Sequence, residues 1–170
     1  MWHALSQHQN GLAADAIKLL LLTGARRSEV LGMRWDEIDL EARIWIKPPS
    51  RTKQKRMHRV PLSGSVMELL AQLRDGAKGE EFVFPGTGSS GHLADIKRSW
   101  ASVCAEAGIV NCRLNDLRHS FASLIVSNGG SLETIGGLLG HSQTQTTKRY
   151  AHLFDATLRD AAELVAKATL

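Results

Sequence analysis

The sequence predicts a mainly helical domain with a small antiparallel β-sheet, an α+β fold class. Apolar residues recur at helical spacing through most of the chain, whereas residues 43–47 alternate and can pair with residues 57–61. The 170 residues are 43% hydrophobic, which is enough for one core and short for two. We therefore expect a single domain over residues 1–170.

The helices are predicted from this spacing and from their stop signals. A helix over residues 12–22 should end at Thr23-Gly24, because glycine accepts the left-handed conformation that terminates helices. A short helix should restart near Arg27, and Gly140 is a second glycine stop. Further helices are predicted over residues 63–74, 93–107, 114–127, 131–139, 144–150 and 155–167.

The predicted hairpin carries a basic tip. In its first strand Ile44 and Ile46 face one way and Trp45 the other. A run of basic residues without an acidic one attracts polyanions, and a solvated basic loop explains the same run equally well. The net charge of +4 does not by itself indicate that the protein binds nucleic acid. The run comprises Arg43, Lys47, Arg51, Lys53, Lys55, Arg56 and Arg59.

Composition favours a protein of the cytoplasm. The dense apolar run over residues 17–22 is too short to span a bilayer, and the start of the chain has no export-signal pattern. Cys104 and Cys112 have neither the paired spacing of a zinc site nor the density of a disulfide scaffold. We expect both to be reduced thiols.

Arg118 occupies an unusual place in the helix predicted over residues 114–127. Projected at about 100° per residue, that helix has a polar stripe of Asp116, His119, Ser120, Ser123 and Ser127. The opposite, apolar arc consists of Leu114, Leu117, Phe121, Leu124 and Ile125. Arg118 falls on the apolar arc and needs a partner there. The partner is either internal, a salt bridge or a set of carbonyl groups, or a phosphate held by the guanidinium fork.

Two further segments contain candidate site residues. In the segment from Thr23 to Glu29, Arg26 or Arg27 either forms a surface pair with Glu29 or projects into a cleft. In the second segment His141 follows the Gly140 stop, and Tyr150 is the only tyrosine of the chain. A lone histidine or tyrosine is more often a packing residue than a catalytic one. The spacing of the histidines is not that of a metal site, so no metal is expected.

Taken together, these segments resemble the tyrosine recombinase or phage integrase family over most of the chain. The family pattern is an arginine in TG-x-R-x-x-E, a hairpin lysine, His-x-x-Arg, a histidine or tryptophan, and a tyrosine. The resemblance implies the fold of the family's catalytic domain. It assigns the catalytic positions to Arg26, Lys53, Asn115, Arg118, His141 and Tyr150, with Glu29 in support.

The chain departs from the family pattern at one position. Asn115 stands where the family has the histidine of His-x-x-Arg, and an amide donates hydrogen bonds without shuttling a proton near neutral pH. A general-base role at this position is therefore in doubt. The helical core-binding domain that precedes the family's catalytic domain is also expected to be absent.

The resemblance implies a reaction on double-stranded DNA. Tyr150 attacks a backbone phosphate that Arg26 and Arg118 clamp, and Lys53 protonates the departing 5′-oxygen. The 3′-phosphotyrosyl bond keeps the energy of the phosphodiester, so neither ATP nor another cofactor is implied. DNA contacts are expected from the other hairpin cations, and strand exchange from a homotetramer. Those cations are Arg51, Lys55, Arg56 and Arg59.

Two other functions fit the same residues. One is an integrase-like DNA-binding module with weak catalysis, which Asn115 favours. The other is a type IB topoisomerase, which uses similar chemistry to relax supercoils. Site-specific recombination or integration by a bacterial or phage protein is the leading prediction.

Overall fold

The computed structural model describes residues 1–52, 55–77 and 79–140. This part of the chain is mostly helical with one three-stranded antiparallel sheet, which confirms the predicted α+β class. Its helices are α1 (Trp2–Gln7), α2 (Gly11–Thr23), α3 (Arg27–Leu31), α4 (Gly64–Gly76), α5 (Lys97–Glu106), α6 (Asp116–Ser127) and α7 (Leu132–Leu139). Its strands are β1 (Ile38–Asp39), β2 (Ile44–Lys47) and β3 (His58–Pro61), with 3₁₀ helices at Trp35–Glu37 and Pro49–Arg51. The helices predicted over residues 144–150 and 155–167 lie outside the described residues.

Helix α2 forms the centre of the core. Ala16, Ile17 and Leu19 are fully buried, and α2 packs against α1, α3, α4, α5 and α6. Its start is capped by the Asn10 side chain, and its predicted stop at Gly24 is confirmed by a φ of 61°. The α2–α3 turn is thereby held against the middle of the domain.

The sheet confirms the predicted hairpin and adds a strand to it. Strand β2 pairs with β1 and β3, and Trp45 lies opposite Val60 on the buried face. Side chains two residues apart share a face, so Lys47 follows Trp45 into the interior. Strand β1 was not predicted, because two residues are too few to show an alternating pattern.

The helices differ most from the prediction at α1 and at the start of α5. Helix α1 was not predicted, and α5 begins at Lys97, four residues later than Leu93. The Asp95 carboxylate accepts the N–H groups of Ile96, the N-cap residue, and of Lys97, the first residue of α5. The apolar Leu93 instead donates its N–H to the Phe84 carbonyl within the preceding loop.

Helix α6 packs against both α2 and α7, and this changes its buried face. Leu117, Ala122 and Val126 are buried, whereas Leu124, which belongs to the predicted apolar arc, is 57% exposed. Ala122 and Val126 pack with Ile135 and Leu139 of α7 in a small second core. As predicted, α7 begins after Ser131, which caps it, and ends at Gly140 with a φ of 64°.

Cys104 and Cys112 are both free, as predicted. Among the helices that the structure describes, none combines the length and the apolar character needed to cross a membrane.

Candidate active site

The turn between α2 and α3 is built around Gly24. Thr23 donates its hydroxyl to the Leu19 carbonyl at 2.6 Å and accepts the Ala25 N–H at 3.2 Å, which fixes the chain on both sides of the glycine. A Cβ atom on Gly24 would lie 2.7 Å from a methyl group of Leu139, in a left-handed backbone conformation. Only glycine allows α6 and α7 to pack this closely on the turn that leads to Arg26.

Arg118 joins three elements at this turn. From α6 its guanidinium donates to the Gly24 carbonyl at 2.6 Å and to the Leu139 carbonyl at 2.8 Å. Gly24 is two residues before Arg26, and Leu139 is two residues before His141. Carbonyl acceptors were one of the structural alternatives predicted for Arg118, and they are confirmed. The same contacts place a permanent positive charge between the α2–α3 turn and the end of α7.

Arg26 is held by Glu29 through two contacts. Its guanidinium donates to Glu29 Oε1 at 2.7 Å, and its backbone N–H donates to Glu29 Oε2 at 3.1 Å. The Arg26 side chain remains 31% exposed, whereas Glu29 is buried. Arg27 instead contacts Asp95 on the surface at 3.2 Å. Of the two candidate arginines, Arg26 is therefore the one that pairs with Glu29.

Lys47 is a component of this arrangement that was not singled out from the sequence. Its Nζ lies 2.8 Å from Glu29 Oε2, and the residue is only 3% exposed. Burial raises the pKa of Glu29, but the charge of Lys47 and hydrogen bonds from Lys47 and Arg26 outweigh it and lower that pKa to about 2. Burial lowers the pKa of Lys47, and Glu29 opposes this effect in part. The available signal was the alternation in β2, which puts Lys47 on the buried face with Trp45.

His58 connects the sheet to α7. It lies opposite Lys47 in the β2–β3 register, and its Nε2–H donates to the Gly137 carbonyl at 2.8 Å. A Cβ atom on Gly140 would come within 2.8 Å of the His58 ring. Burial lowers the pKa of His58, which favours the neutral ring. The end of α7 is thus attached to β3 immediately before the position of His141.

Asn115 lies just before α6, where its carbonyl accepts the Arg118 N–H at 3.2 Å. Its side chain is exposed and lines a cleft of about 490 Å³. The lining residues are Arg27, Lys97, Trp100, Cys112, Arg113, Leu114 and Asn115. Three of these are cations on separate elements, and sequence reasoning missed the cleft because their positions along the chain are far apart.

The hairpin cations fall into two groups. Lys55, Arg56 and Arg59 are exposed, as a basic tip requires. Arg51 instead donates to Glu37 Oε1 at 2.9 Å and to the Gly32 carbonyl, so its guanidinium anchors the hairpin to the end of α3. The predicted contact of Arg51 with DNA has to compete with these internal partners.

Comparison with known proteins shows the family of this chain. Residues 3–157 match the phage integrase family. This chain belongs to that family. It is 33% identical over 152 residues to the tyrosine recombinase XerD of Rhizobium meliloti strain 1021, covering 85% of this chain and 48% of XerD. The chain thus spans about half the length of the curated relatives it matches.

Solved integrase structures share the fold. The catalytic domain of bacteriophage HP1 integrase superposes with a TM-score of 0.68 at 25% identity, covering 95% of this chain and 87% of that domain. The recombinase XerH, in a post-cleavage complex with a palindromic difH substrate, gives a TM-score of 0.75 at 20% identity, covering 97% and 50%. The fold of this integrase-family chain is therefore that of tyrosine recombinase catalytic domains.

Six catalytic positions were predicted for this integrase-family chain, and the structure describes three of them. Arg118 binds the Gly24 carbonyl two residues before Arg26, which pairs with Glu29, and Asn115 lies one helical turn from Arg118. Lys53, His141 and Tyr150 lie outside the described residues. Their neighbours Thr52 and Gly140 are described, and the Thr52 hydroxyl donates to the Arg56 carbonyl at 2.7 Å across the hairpin tip.

Proposed function

We propose that this chain is the catalytic domain of a tyrosine recombinase, which cuts and rejoins double-stranded DNA through a bond between Tyr150 and a 3′-phosphate. The observation that carries the proposal is the position of Arg118. Its guanidinium binds the turn before Arg26 and the end of α7 before His141, so one side chain gathers three segments of the family's catalytic pattern. The XerD and phage integrase relatives support the same reaction.

The proposed reaction is an in-line displacement at phosphorus. The Tyr150 oxygen forms a bond to phosphorus while the bond to the 5′-oxygen breaks, and Lys53 gives that oxygen a proton. Negative charge builds on the non-bridging phosphate oxygens, where Arg26 and Arg118 would supply compensating charge and Asn115 and His141 further hydrogen bonds. A 5′-hydroxyl from another strand reverses these steps.

The cations around this centre suit the flanking phosphates. Lys55, Arg56 and Arg59 extend from the hairpin, and Arg27, Lys97 and Arg113 line the cleft beside Asn115. Phosphate contacts of this kind position a protein on a duplex without reading its sequence. Solved relatives in complex with their DNA substrates support this assignment. We further propose assembly of a homotetramer on DNA, acting in the cytoplasm of a bacterial cell.

The first prediction is covalent capture on a nicked DNA duplex. A nick beside the cleavage position lets the short 5′-hydroxyl fragment diffuse away, so the cleaved product accumulates as a protein–DNA adduct visible on a denaturing gel. Tyr150→Phe should abolish the adduct and leave DNA affinity within about twofold, because only the nucleophilic oxygen is lost. An adduct that survives in Tyr150→Phe would contradict the assignment of the nucleophile.

The same assay separates the alternatives. Asn115, which stands in place of the family's histidine, favours a second candidate, a DNA-binding module with weak catalysis. Such a module would bind DNA and give no adduct with Tyr150 present. A type IB topoisomerase would give the adduct and relax supercoiled DNA without joining strands from two duplexes.

A further inference from the structure

We propose that Lys47 is a positioning residue for Arg26: it holds the Glu29 carboxylate in one orientation, and that carboxylate sets the direction of the Arg26 guanidinium. The contacts among the three residues do not depend on any assigned function, whereas the consequence for catalysis rests on the function proposed above. The hairpin lysine expected to act as proton donor is Lys53, so Lys47 would have a separate task.

The Glu29 carboxylate has three donors on its two oxygens. Oε1 accepts the Arg26 guanidinium at 2.7 Å, and Oε2 accepts both the Arg26 N–H at 3.1 Å and Lys47 Nζ at 2.8 Å. The first two donors belong to the same short turn as Glu29 and move with it. Lys47 comes from β2, eighteen residues away, and is the donor that ties the carboxylate to the sheet.

The burial of Lys47 indicates an indirect role. Its side chain is 4% exposed, whereas that of Arg26 is 31% exposed, so Arg26 is accessible to a phosphate and Lys47 is not. Burying an ion pair is costly, and replacing both of its partners with packed apolar residues often gives a protein that is at least as stable. A lysine kept here is better explained by the orientation that it imposes on Glu29 than by a gain in stability.

The surrounding charges favour the same interpretation. Arg118 and Arg26 both lower the pKa of Lys47, as neighbouring positive charges do. Among the residues that the structure describes, the charges acting on Lys47 are therefore the Glu29 carboxylate and the guanidinium groups of Arg26 and Arg118. His58, the cross-strand neighbour of Lys47, has a lowered pKa and adds little charge near neutrality.

The test replaces Lys47 with methionine, an unbranched side chain of similar length that carries no charge. Lys18→Met is the matched control, because Lys18 forms a 2.8 Å pair with Asp15 on α2, where its side chain is 20% exposed. With saturating nicked DNA, Lys47→Met should slow adduct formation by about a hundredfold while DNA affinity stays within about twofold. Lys18→Met should match the parent chain, and a Lys47→Met rate within twofold of the parent would overturn the proposal.

Two combined variants and a modified substrate separate positioning from other roles. If Lys47 acts through Arg26, the loss caused by Lys47→Met should nearly vanish in an Arg26→Ala background, and an equal loss in both backgrounds would overturn the proposal. Lys47→Met combined with Glu29→Gln leaves no unpaired buried charge, and this folded variant should be as slow as Lys47→Met.

A substrate with sulfur as the 5′-bridging atom needs no proton on its leaving group. Restoration of the Lys47→Met rate by that substrate would make Lys47 a proton donor and would also overturn the proposal.

A measurement without DNA keeps the proposal independent of the recombinase assignment. Side-chain NMR of the parent chain should show one fixed Arg26 guanidinium and a Glu29 pKa far below 4.5. In Lys47→Met the Glu29 pKa should rise and the Arg26 signals should average, whereas unchanged signals would overturn the proposal. A chain that gives no adduct but shows these changes would refute the recombinase function and leave the positioning contact established.

Discussion

Arg118 serves both the stability of the fold and the charge of the candidate active site. Its two carbonyl acceptors, on Gly24 and Leu139, belong to chain segments 94 and 21 residues away. A buried carbonyl that loses its donor keeps the cost of its desolvation, so the effect of removing Arg118 exceeds that of one lost contact. The residue is therefore expected to matter even in the absence of DNA.

Replacement of Arg118 by methionine should lower the free energy of unfolding by about 3 kcal/mol, because two hydrogen bonds from a charged donor are lost together. Urea denaturation monitored by circular dichroism measures this change. Arg113→Met is the control, since the Arg113 side chain is 85% exposed and its effect should stay within about 0.5 kcal/mol. Equal effects of the two substitutions would contradict the structural role of Arg118.

Glu29 should make the stability of the protein sensitive to acid. Its pKa is about 2 in the folded chain, compared with 4.5 for an ordinary glutamate, so the folded state binds this proton more weakly than the unfolded state. The resulting stabilisation, about 3 kcal/mol, is complete above pH 4.5 and is lost as the pH falls towards 2. Urea denaturation between pH 6 and pH 2 should show a smaller loss for Glu29→Gln than for the parent chain. Parallel curves would refute the lowered pKa.

At the scale of elements, the α2–α3 turn depends on the close approach of α6 and α7. The turn itself is local, since Thr23 and Gly24 supply its hydrogen bonds and its left-handed residue. Its place in the molecule depends on Phe121 and Leu139, which come within contact distance of Gly24. A change at the glycine should therefore disturb three helices together.

Gly24→Ala should lower the free energy of unfolding by about 2 kcal/mol or more, because the new methyl group meets Leu139 and the backbone keeps a φ of 61°. Gly137→Ala is the matched control within α7. No atom lies within 4 Å of a Cβ atom at Gly137, so alanine should stabilise the helix by up to about 1 kcal/mol. Thermal unfolding of the two variants should give shifts of opposite sign, and a neutral Gly24→Ala would refute the packing argument.

At the scale of the whole molecule, the basic run of the hairpin divides its charges between the interior and the surface. Lys47 and Arg51 are paired with Glu29 and Glu37, whereas Arg43, Lys55, Arg56 and Arg59 are exposed. The exposed charges are the ones that can displace counterions from DNA. The charge available for binding is therefore smaller than the sequence count suggests.

The salt dependence of DNA binding should reveal this division. Arg59→Gln should reduce the slope of log affinity against log salt concentration by about 0.9, the value for one phosphate contact. Arg51→Gln should leave the slope unchanged and lower stability instead, because its guanidinium is bound to Glu37 and Gly32. Fluorescence anisotropy with a labelled duplex, titrated at several salt concentrations, measures both slopes. A reduced slope for Arg51→Gln would show that Arg51 contacts DNA, as the sequence predicted.

Local rules were sufficient for much of the fold. Gly24 and Gly140 end their helices with the expected left-handed φ, and the alternation around Trp45 gave the correct hairpin. These features depend on backbone conformations that neighbouring residues determine. The start of α5 was misplaced because the apolar spacing from Leu93 mimics a helix, whereas the Asp95 carboxylate accepts the N–H groups of Ile96 and Lys97 at the true start.

By itself, the sequence determined the family and the order of its candidate catalytic residues, because both depend on residue types at fixed spacings. Tertiary structure alone decided the partners of charges that lie far apart along the chain. Glu29 and Lys47 are eighteen residues apart, and Arg118 reaches a carbonyl 94 residues before it. Whether a cation is buried in a pair or exposed to DNA depends on which distant segment packs beside it, and no local spacing contains that information.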